Sequence, residues 1–576
     1  MTCCRFPVGY FGYPMVVSFF FRLRQLFCQT TTRRRFFRIG QYAGLFSLCF
    51  LLAVGCRNGG SAIDDTVGAG DRVSVGTTLS ARTLDPADSY EIFPGILLYN
   101  MGDRLYTYSP GTTDLVPQLA TDLPRISDDG LTYTISLRDD VTLHDGTPFT
   151  AEVMAFSIER FMENGGRPAS LLTGKVDTVS VTDGDLVITL KQPFAAFPSL
   201  LTFSGITPVS PEAYEVGAGS FNPDSFIGSG PYKLASFSSD VIKLDVNEDY
   251  WGVKPDNGGI DIQVFTSAVN LYNTFTSGGL DVAYQTLDPD QISTLEADAA
   301  SENWQVIEAG STVVNYLSLN QKIAPFDDLN VRKAVAAMMD RQLISDRAFK
   351  GQAEPLYSLI PKSFPVYDPV FEEAYGDGNF EEAKAYLAEA GITEANPLEF
   401  EIWYPSASTP RSVAANTIKQ SVEQALPGLV NVTVSTAESA TLWENVENGA
   451  YNSVLSNWYP DYFDPENFVQ PFLTCDEGSS ETLCTVGSPQ ANGSFYYSDK
   501  ANQLVADQNA EQDPTKRDAI FADLQQLMID DVPYIPLWQT KDYVFTTADV
   551  SDVAIEPNQQ FLLWQIDKSV ATAAAE

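Results

Sequence analysis

Asp129-Gly130-Leu131-Thr132-Tyr133-Thr134-Ile135-Ser136-Leu137-Arg138, followed by Val141-Thr142-Leu143-His144-Asp145-Gly146-Thr147-Pro148-Phe149-Thr150-Ala151, decides the fold class. Tyr133–Arg138 sets Tyr, Ile and Leu on one face and Thr, Ser and Arg on the other, the period of a half-buried strand. Thr150 then stands where a helix over Ala151–Asn164 needs an oxygen for its free amides. A strand that turns directly into a helix implies a mixed α/β domain rather than a sandwich or a bundle. The same interleaving continues outward. Val73–Leu79, Leu186–Leu190, Ile242–Val246 and Ile260–Phe265 read as strands. Asn330–Asp340 reads as a helix, as does Phe380–Ala390 closed by Gly391 as a C′ glycine. Pro410–Leu426 reads as a helix with Thr409 as N-cap and Pro410 at N1. Asp513-Pro514 opens another that runs to about Asp530, with Ile520, Leu524, Leu527 and Met528 on one face.

The chain has 576 residues, more than one core supports, so at least two domains are expected. With 35 basic against 75 acidic side chains the formal charge is −40, which repels phosphate backbones and anionic lipid headgroups; nucleic acid is not an expected partner. His144 is the single histidine. One imidazole in the whole chain argues against Ser-His-Asp and Cys-His hydrolases and against most zinc sites, while carboxylate-only enzymes such as glycosidases survive. Gly228-Ser229-Gly230-Pro231 lacks the pattern of a phosphate loop, and Pro231 has no amide hydrogen to donate, so it reads as a turn.

Residues 1–55 hold seven Arg and no Lys, Asp or Glu. The basic run Thr32-Arg33-Arg34-Arg35-Phe36-Phe37-Arg38 precedes the apolar stretch Ile39–Ala53, and Ala53-Val54-Gly55-Cys56 supplies small residues before a cysteine. This order resembles a lipoprotein signal peptide with Cys56 as the lipidated first residue, and the basic run resembles a twin-arginine export motif. An uncleaved anchor over 39–55 is the alternative; both place the remainder outside the cytoplasm. A second apolar stretch, Phe6–Phe21, is more than a signal needs, and a start at Met15 or later would remove it. Loss of 1–55 leaves 28 basic and 75 acidic side chains, a formal charge of −47. Residues 56–71 read as a flexible tether. Of seven cysteines only Cys475 and Cys484 remain free of the signal and the lipid, a pair expected to form a disulfide outside the cytoplasm and to close a loop without regular structure.

Five blocks, in order, carry a family resemblance: Thr83-Leu84-Asp85-Pro86-Ala87; Asp129–Tyr133 with Val141–Ala151; Ile227-Gly228-Ser229-Gly230-Pro231-Tyr232-Lys233-Leu234 with Tyr250-Trp251; Pro325-Phe326-Asp327 to Val331-Arg332-Lys333-Ala334 with Asp340-Arg341; and Trp458-Tyr459-Pro460-Asp461-Tyr462-Phe463-Asp464-Pro465. From about Val73 to Phe545 the chain resembles the family 5 extracytoplasmic solute-binding proteins of ABC transporters, the oligopeptide, dipeptide and nickel binders. The resemblance implies a two-lobed periplasmic-binding-protein-like fold with hinge strands and an additional subdomain inserted in the first lobe. Mapped onto this chain, the first lobe is 72–98, 205–311 and 536–576, the inserted subdomain 99–204 and the second lobe 312–535. The crossovers fall near Gly310–Asn315 and Tyr534–Gln539.

In peptide-binding relatives the Asp of the last block pairs with the free ammonium of the peptide, which implies that role for Asp461. Without the resemblance, Asp461, Asp464 and Glu466 read as a solvated acidic turn around Pro465. Trp458, Tyr459, Trp403 and Tyr404 are candidates to line side-chain pockets. Arg411, in the first turn of the Pro410 helix, is a candidate receiver of a ligand carboxylate. His144 is expected to be a satisfied structural residue. The expected function is non-enzymatic capture of a peptide or similar small solute and delivery to an ABC permease, by a monomer, with no cofactor and no metal. A sugar or opine-type ligand in the same fold and a carboxylate glycoside hydrolase remain as alternatives. Mass spectrometry of the membrane-associated protein should find an N-terminal peptide that begins at Cys56 and carries lipid; one beginning earlier overturns the cleavage.

Overall fold

Two long strands, Trp304–Leu319 and Tyr534–Thr547, run antiparallel through the middle of an eleven-stranded sheet. The computed structural model of the chain describes residues 71–302 and 304–568. The expected signal segment, Cys56 and the expected tether as far as Gly70 lie outside the described residues. Beyond Tyr534–Thr547 the sheet continues through Val282–Tyr284, Val73–Thr77, Ile260–Val264, Val241–Val246 and Tyr232–Phe237. Beyond Trp304–Leu319 it continues through Ser453–Trp458, Leu398–Pro405 and Val430–Ala437.

The register shows how two strands serve two bodies. Trp304 to Gly310 pair with Thr547 to Lys541, and Val314 to Ser318 pair with Gln539 to Tyr534. Between these ladders Ser311, Thr312 and Val313 stand opposite Thr540 alone, a bulge that interrupts the pairing. On one side of the bulge, Val282–Tyr284 joins Val544–Thr546; on the other, Ser453–Trp458 joins Val314–Leu319 and Ala353–Pro355 joins Trp538–Thr540.

Separate cores form on this frame. One draws on Val73–Met101, Val209–Tyr284 and Val544–Ile566, and a second on Val314–Trp538 together with Tyr108. A third is built from Leu105–Ile206 plus Tyr462, around a four-stranded antiparallel sheet and the helix Ala151–Glu163. The last begins as its sequence dictates, with the Thr150 side chain accepting from the Val153 amide.

Several boundaries differ from the sequence reading for local reasons. The helix Thr409–Ala425 is capped by Ser408, not Thr409, because the Ser408 hydroxyl accepts from the Arg411 amide. Asn330–Asp340 is not one helix: Leu329–Met338 ends at Met339 in extended backbone, and Asp340 caps the next helix, Arg341–Phe349. Cys475 and Cys484 are joined in a disulfide, but the segment between them is not irregular. Cys475–Ser479 and Leu483–Gly487 pair as an antiparallel hairpin, so backbone pairing overrides a composition poor in strand formers.

The blocks that carry the family resemblance meet at the junctions. Asp85, fully buried, makes a bidentate ion pair with Arg160 at 2.8 and 2.6 Å and accepts the Asn222 amide at 2.6 Å. Asp103, also buried, accepts from Ser229 Oγ, Gln118 Nε2, Tyr250 OH and Trp251 Nε1, each at 2.9 Å. Gly230 is required here, because a Cβ would lie 2.4 Å from the Met101 carbonyl carbon. His144 accepts the Gly228 amide on Nδ1 and donates from Nε2 to the Gly230 carbonyl. Burial lowers its pKa to about 4, so the imidazole is neutral and structural.

Breaking the Asp85–Arg160 pair from one side strands a charge in the core. Asp85→Ala should therefore cost about 3–5 kcal/mol in chemical denaturation, whereas Asp85→Leu combined with Arg160→Met should cost clearly less. Equal losses for the two variants would show that the charge pairing is not what matters.

Candidate functional site

The strand Ser453–Trp458 delivers the loop Tyr459–Phe463 to the meeting point of the three cores. Several contacts hold this loop in shape. Asn467 Oδ1 accepts both Trp458 Nε1 at 3.3 Å and the Asp461 amide at 2.9 Å. Asp464 grips Arg517 through two bonds of 2.9 and 2.7 Å, and Tyr462 donates to the buried Glu466. Tyr462 itself packs edge-on to Phe194 inside the Leu105–Ile206 core. The acidic turn is thus not solvated: Asp464 and Glu466 are buried, and only Asp461 turns toward open space.

That space is a cleft of about 380 Å³. Its second wall is Ser89–Ile92, Gly95, Ile96 and Tyr99 with Thr202–Ser204, and Asn558, Gln559 and Gln560 close one side. Tyr90 reaches across and donates its hydroxyl to Asp461 Oδ1 at 2.6 Å. Burial raises the Asp461 pKa above its ordinary value, opposed by the bonds from Tyr90 and Asn467 and weakly by the charge of Lys175. No lysine or arginine among the described residues forms an ion pair with it. The other carboxylate lining the cleft, Glu91, is held by Arg82 and Arg167 at 2.9 and 2.8 Å. Burial works against its charge, but those partners keep its pKa below the ordinary value.

A smaller cavity of about 220 Å³ adjoins the cleft, and Asn457 and Tyr459 line both. Arg411 opens onto it from the first turn of the Thr409–Ala425 helix. Its guanidinium donates to Asn457, while its Nε finds no partner; the indole Nε1 of Trp538, in the same wall, is also unpartnered. Burial lowers the Arg411 pKa, and no carboxylate among the described residues pairs with it. Two half-buried, uncompensated charges of opposite sign thus flank the Asn457–Tyr459 wall.

Trp458 and Tyr459 line the cleft, and Tyr459 is 50% exposed. Trp403 and Tyr404 do not line it. Trp403 stacks on Tyr451 at 4.0 Å against the helix Ser439–Glu447, and Tyr404 is buried in the Val314–Trp538 core, where its hydroxyl donates to Ser412. Successive side chains on a strand point to opposite faces: in Leu398–Pro405 the face that carries Tyr404 is buried, and the face that carries Trp403 is only partly covered. Tyr90 and Gln559 were not marked by the sequence; Tyr90 stands 371 residues from Asp461, with no local pattern to join them. Among the described residues, no group of three or more His, Cys, Asp or Glu could hold a metal ion.

Residues 114–480 match the pattern of bacterial extracellular solute-binding proteins, family 5 (middle). The chain belongs to this family. A probable D,D-dipeptide-binding periplasmic protein DdpA of Escherichia coli (strain K12) is 26% identical over 84% of this chain and 92% of its own. The periplasmic oligopeptide-binding protein OppA of Salmonella typhimurium is 25% identical over 70% of this chain and 76% of its own. Among solved structures, the binding protein DppA of Helicobacter pylori in complex with the peptide STSA superposes with a TM-score of 0.68 at 22% identity, covering 86% of this chain and 97% of that one. The substrate-binding protein CtaP of Listeria monocytogenes gives 0.74 at 19%, over 86% and 99%. The two-lobed architecture of the family is therefore that of this chain, with the long strand pair as its hinge.

An unpaired guanidinium in a half-buried wall costs stability until an anion arrives. Arg411→Met should raise the melting temperature of the ligand-free protein, by about 1 kcal/mol in stability, while weakening ligands that carry a carboxylate. A lower melting temperature would show that the bond to Asn457 outweighs the exposed need for a counter-ion.

Proposed function

We propose that the protein is the extracytoplasmic binding component of an ABC importer, that it captures peptides in the interlobe cleft, and that it hands them to a permease in the cytoplasmic membrane. The observation that carries this reading is the pair of uncompensated charges on one wall. A free peptide is a zwitterion: its ammonium suits Asp461, its carboxylate suits Arg411, and both charged bonds strengthen once closure removes water. The face of Tyr459, exposed between the two, and Trp458 beside it offer apolar surface for side chains without demanding a hydrogen-bond pattern. The names of the relatives support the reading, since they are called dipeptide- and oligopeptide-binding proteins. In the same reading the protein works as a monomer, without catalysis or cofactor, attached to the outer face of the membrane through lipid on Cys56. Its lobes divide as 72–98, 205–311 and 536–576 against 312–535, with 99–204 as the inserted subdomain.

Deleting one partner of a desolvated charge pair typically costs about 2–5 kcal/mol, roughly 30- to 4000-fold in affinity. Asp461→Asn should weaken a free peptide by an amount in that range, and N-acetylation of the peptide should weaken the native protein to a similar degree. Because both changes break one interaction, acetylation should then cost the variant little more. Calorimetric titration of the four combinations decides the matter. A variant that binds the free peptide within about threefold of the native protein would overturn the ammonium anchor and favour a sugar or opine-type ligand.

A further inference from the structure

Tyr90 and Asp461 meet across the cleft, each held from its own side. Tyr90 lies just before the helix Ile92–Met101, which packs in one core with Val73 and Val75. Arg82 bonds Asp88 at 2.6 Å and Glu91 at 2.9 Å, and Arg167 bonds Glu91 at 2.8 Å, so the turn on either side of Tyr90 is clamped. The ring stands edge-on to Phe203, with 6.2 Å between centroids. Asp461 follows the strand Ser453–Trp458 on the far side of the long strand pair, and Asn467 accepts its amide. The bond from the Tyr90 hydroxyl to Asp461 Oδ1, 2.6 Å long, joins segments 371 residues apart, and it forms only when the two walls stand as close as they do here.

We propose that Tyr90 is the positioning residue of the ammonium site: reaching across the cleft, it fixes the Asp461 carboxylate for the ammonium of a ligand and ties its own wall to the Asp461 loop. The inference rests on the peptide reading of Asp461 given above.

A carboxylate offers about four lone pairs, so the bond from Tyr90 leaves Asp461 able to accept an ammonium as well. Tyr90 is always the donor: partial burial, and then the charge of Asp461, push its pKa well above the ordinary tyrosine value. A donor of this kind favours the charged form of its partner. For Asp461, burial disfavours the charge, and the Tyr90 bond is the largest effect that opposes burial, ahead of Asn467 and the charge of Lys175. The other charged groups around the loop are engaged elsewhere: Glu91 with Arg82 and Arg167, Asp464 with Arg517, Glu466 with the Tyr462 hydroxyl, and Arg411 with Asn457. Tyr99, Tyr108 and Tyr459 bring only hydroxyls to the cleft. Loss of the Tyr90 hydroxyl therefore raises the Asp461 pKa. The sign follows: a proton competes with the ammonium for the carboxylate, affinity falls as pH falls through the Asp461 pKa, and without Tyr90 that fall begins at a higher pH.

Trialanine, titrated calorimetrically into the exported protein from about pH 5 to 8, is the probe. Tyr90→Phe keeps the ring against Phe203 and deletes the hydroxyl. It should weaken trialanine roughly tenfold at the upper end of the range, and its affinity should begin to fall at a higher pH than that of the native protein. Asp461→Asn has no proton to take up; it should bind weakly at every pH and lose little more when Tyr90→Phe is added, because Tyr90 acts through the carboxylate. A Tyr90→Phe protein with native affinity and an unshifted pH profile overturns the proposal and leaves the ammonium anchor standing. Trialanine binding that is indifferent to Asp461→Asn overturns the anchor and the proposal together. Spin labels on Val269→Cys and Glu444→Cys, exposed on the helices Ala268–Thr276 and Ser439–Glu447 on either side of the long strand pair, read the cleft without any ligand. Tyr90→Phe should lengthen that distance in the ligand-free protein, and an unchanged distance overturns the tie between the walls whether or not trialanine binds.

Discussion

The antiparallel pairing of Trp304–Leu319 with Tyr534–Thr547 is the interaction on which the remaining structure depends. Each strand is long enough to belong to both lobes, and the pairing between them is interrupted between Gly310 and Val314 and shifts again between Asn315 and Tyr316. The larger interruption sits where Ser311, Thr312 and Val313 oppose Thr540, and the ladders continue on either side of it. On either side of the interruption the chain builds its own hydrophobic core.

The cleft that this frame leaves between the lobes is electrostatically unfinished. Other buried or half-buried charges are matched, among them Asp85 with Arg160, Asp464 with Arg517 and Lys568 with Asp281. Asp461 and Arg411 are not, although each is half-buried and each has its pKa moved by burial in the direction that disfavours its charge. Uncompensated charges of opposite sign on one wall are unfavourable for the empty cleft, and in the proposed reading a bound zwitterion would compensate both. The contacts that hold the Asp461 loop, from Asn467, Arg517 and the subdomain core around Tyr462, keep the carboxylate in place without neutralising it.

Gln559 faces the cleft with Asn558 and Gln560 and donates to Ser311 and Asp542 of the two long strands. His144 is a buried titratable group whose two ring nitrogens are satisfied by the backbone of Gly228 and Gly230, and burial lowers its pKa to about 4, so it stays neutral.

Local chemistry was legible in the sequence and distant chemistry was not. Thr150, Gly391 and Asp513-Pro514 mark helix ends because capping is decided within one turn of chain, and the helices Ala151–Glu163, Phe380–Glu389 and Pro514–Asp531 follow them. The single histidine, the acidic balance and the order of the five blocks likewise needed no coordinates. The sequence misjudged Trp403 and Tyr404, since an aromatic residue at a strand end reads alike whether its face meets a cleft or a helix. It was silent on Tyr90 and Gln559, whose partners Asp461 and Ser311 are hundreds of residues away. Asp461 could be named as a residue, but only tertiary structure decided that it stands without a cation, because the compensation of a charge depends on everything packed around it and not on its neighbours in the chain.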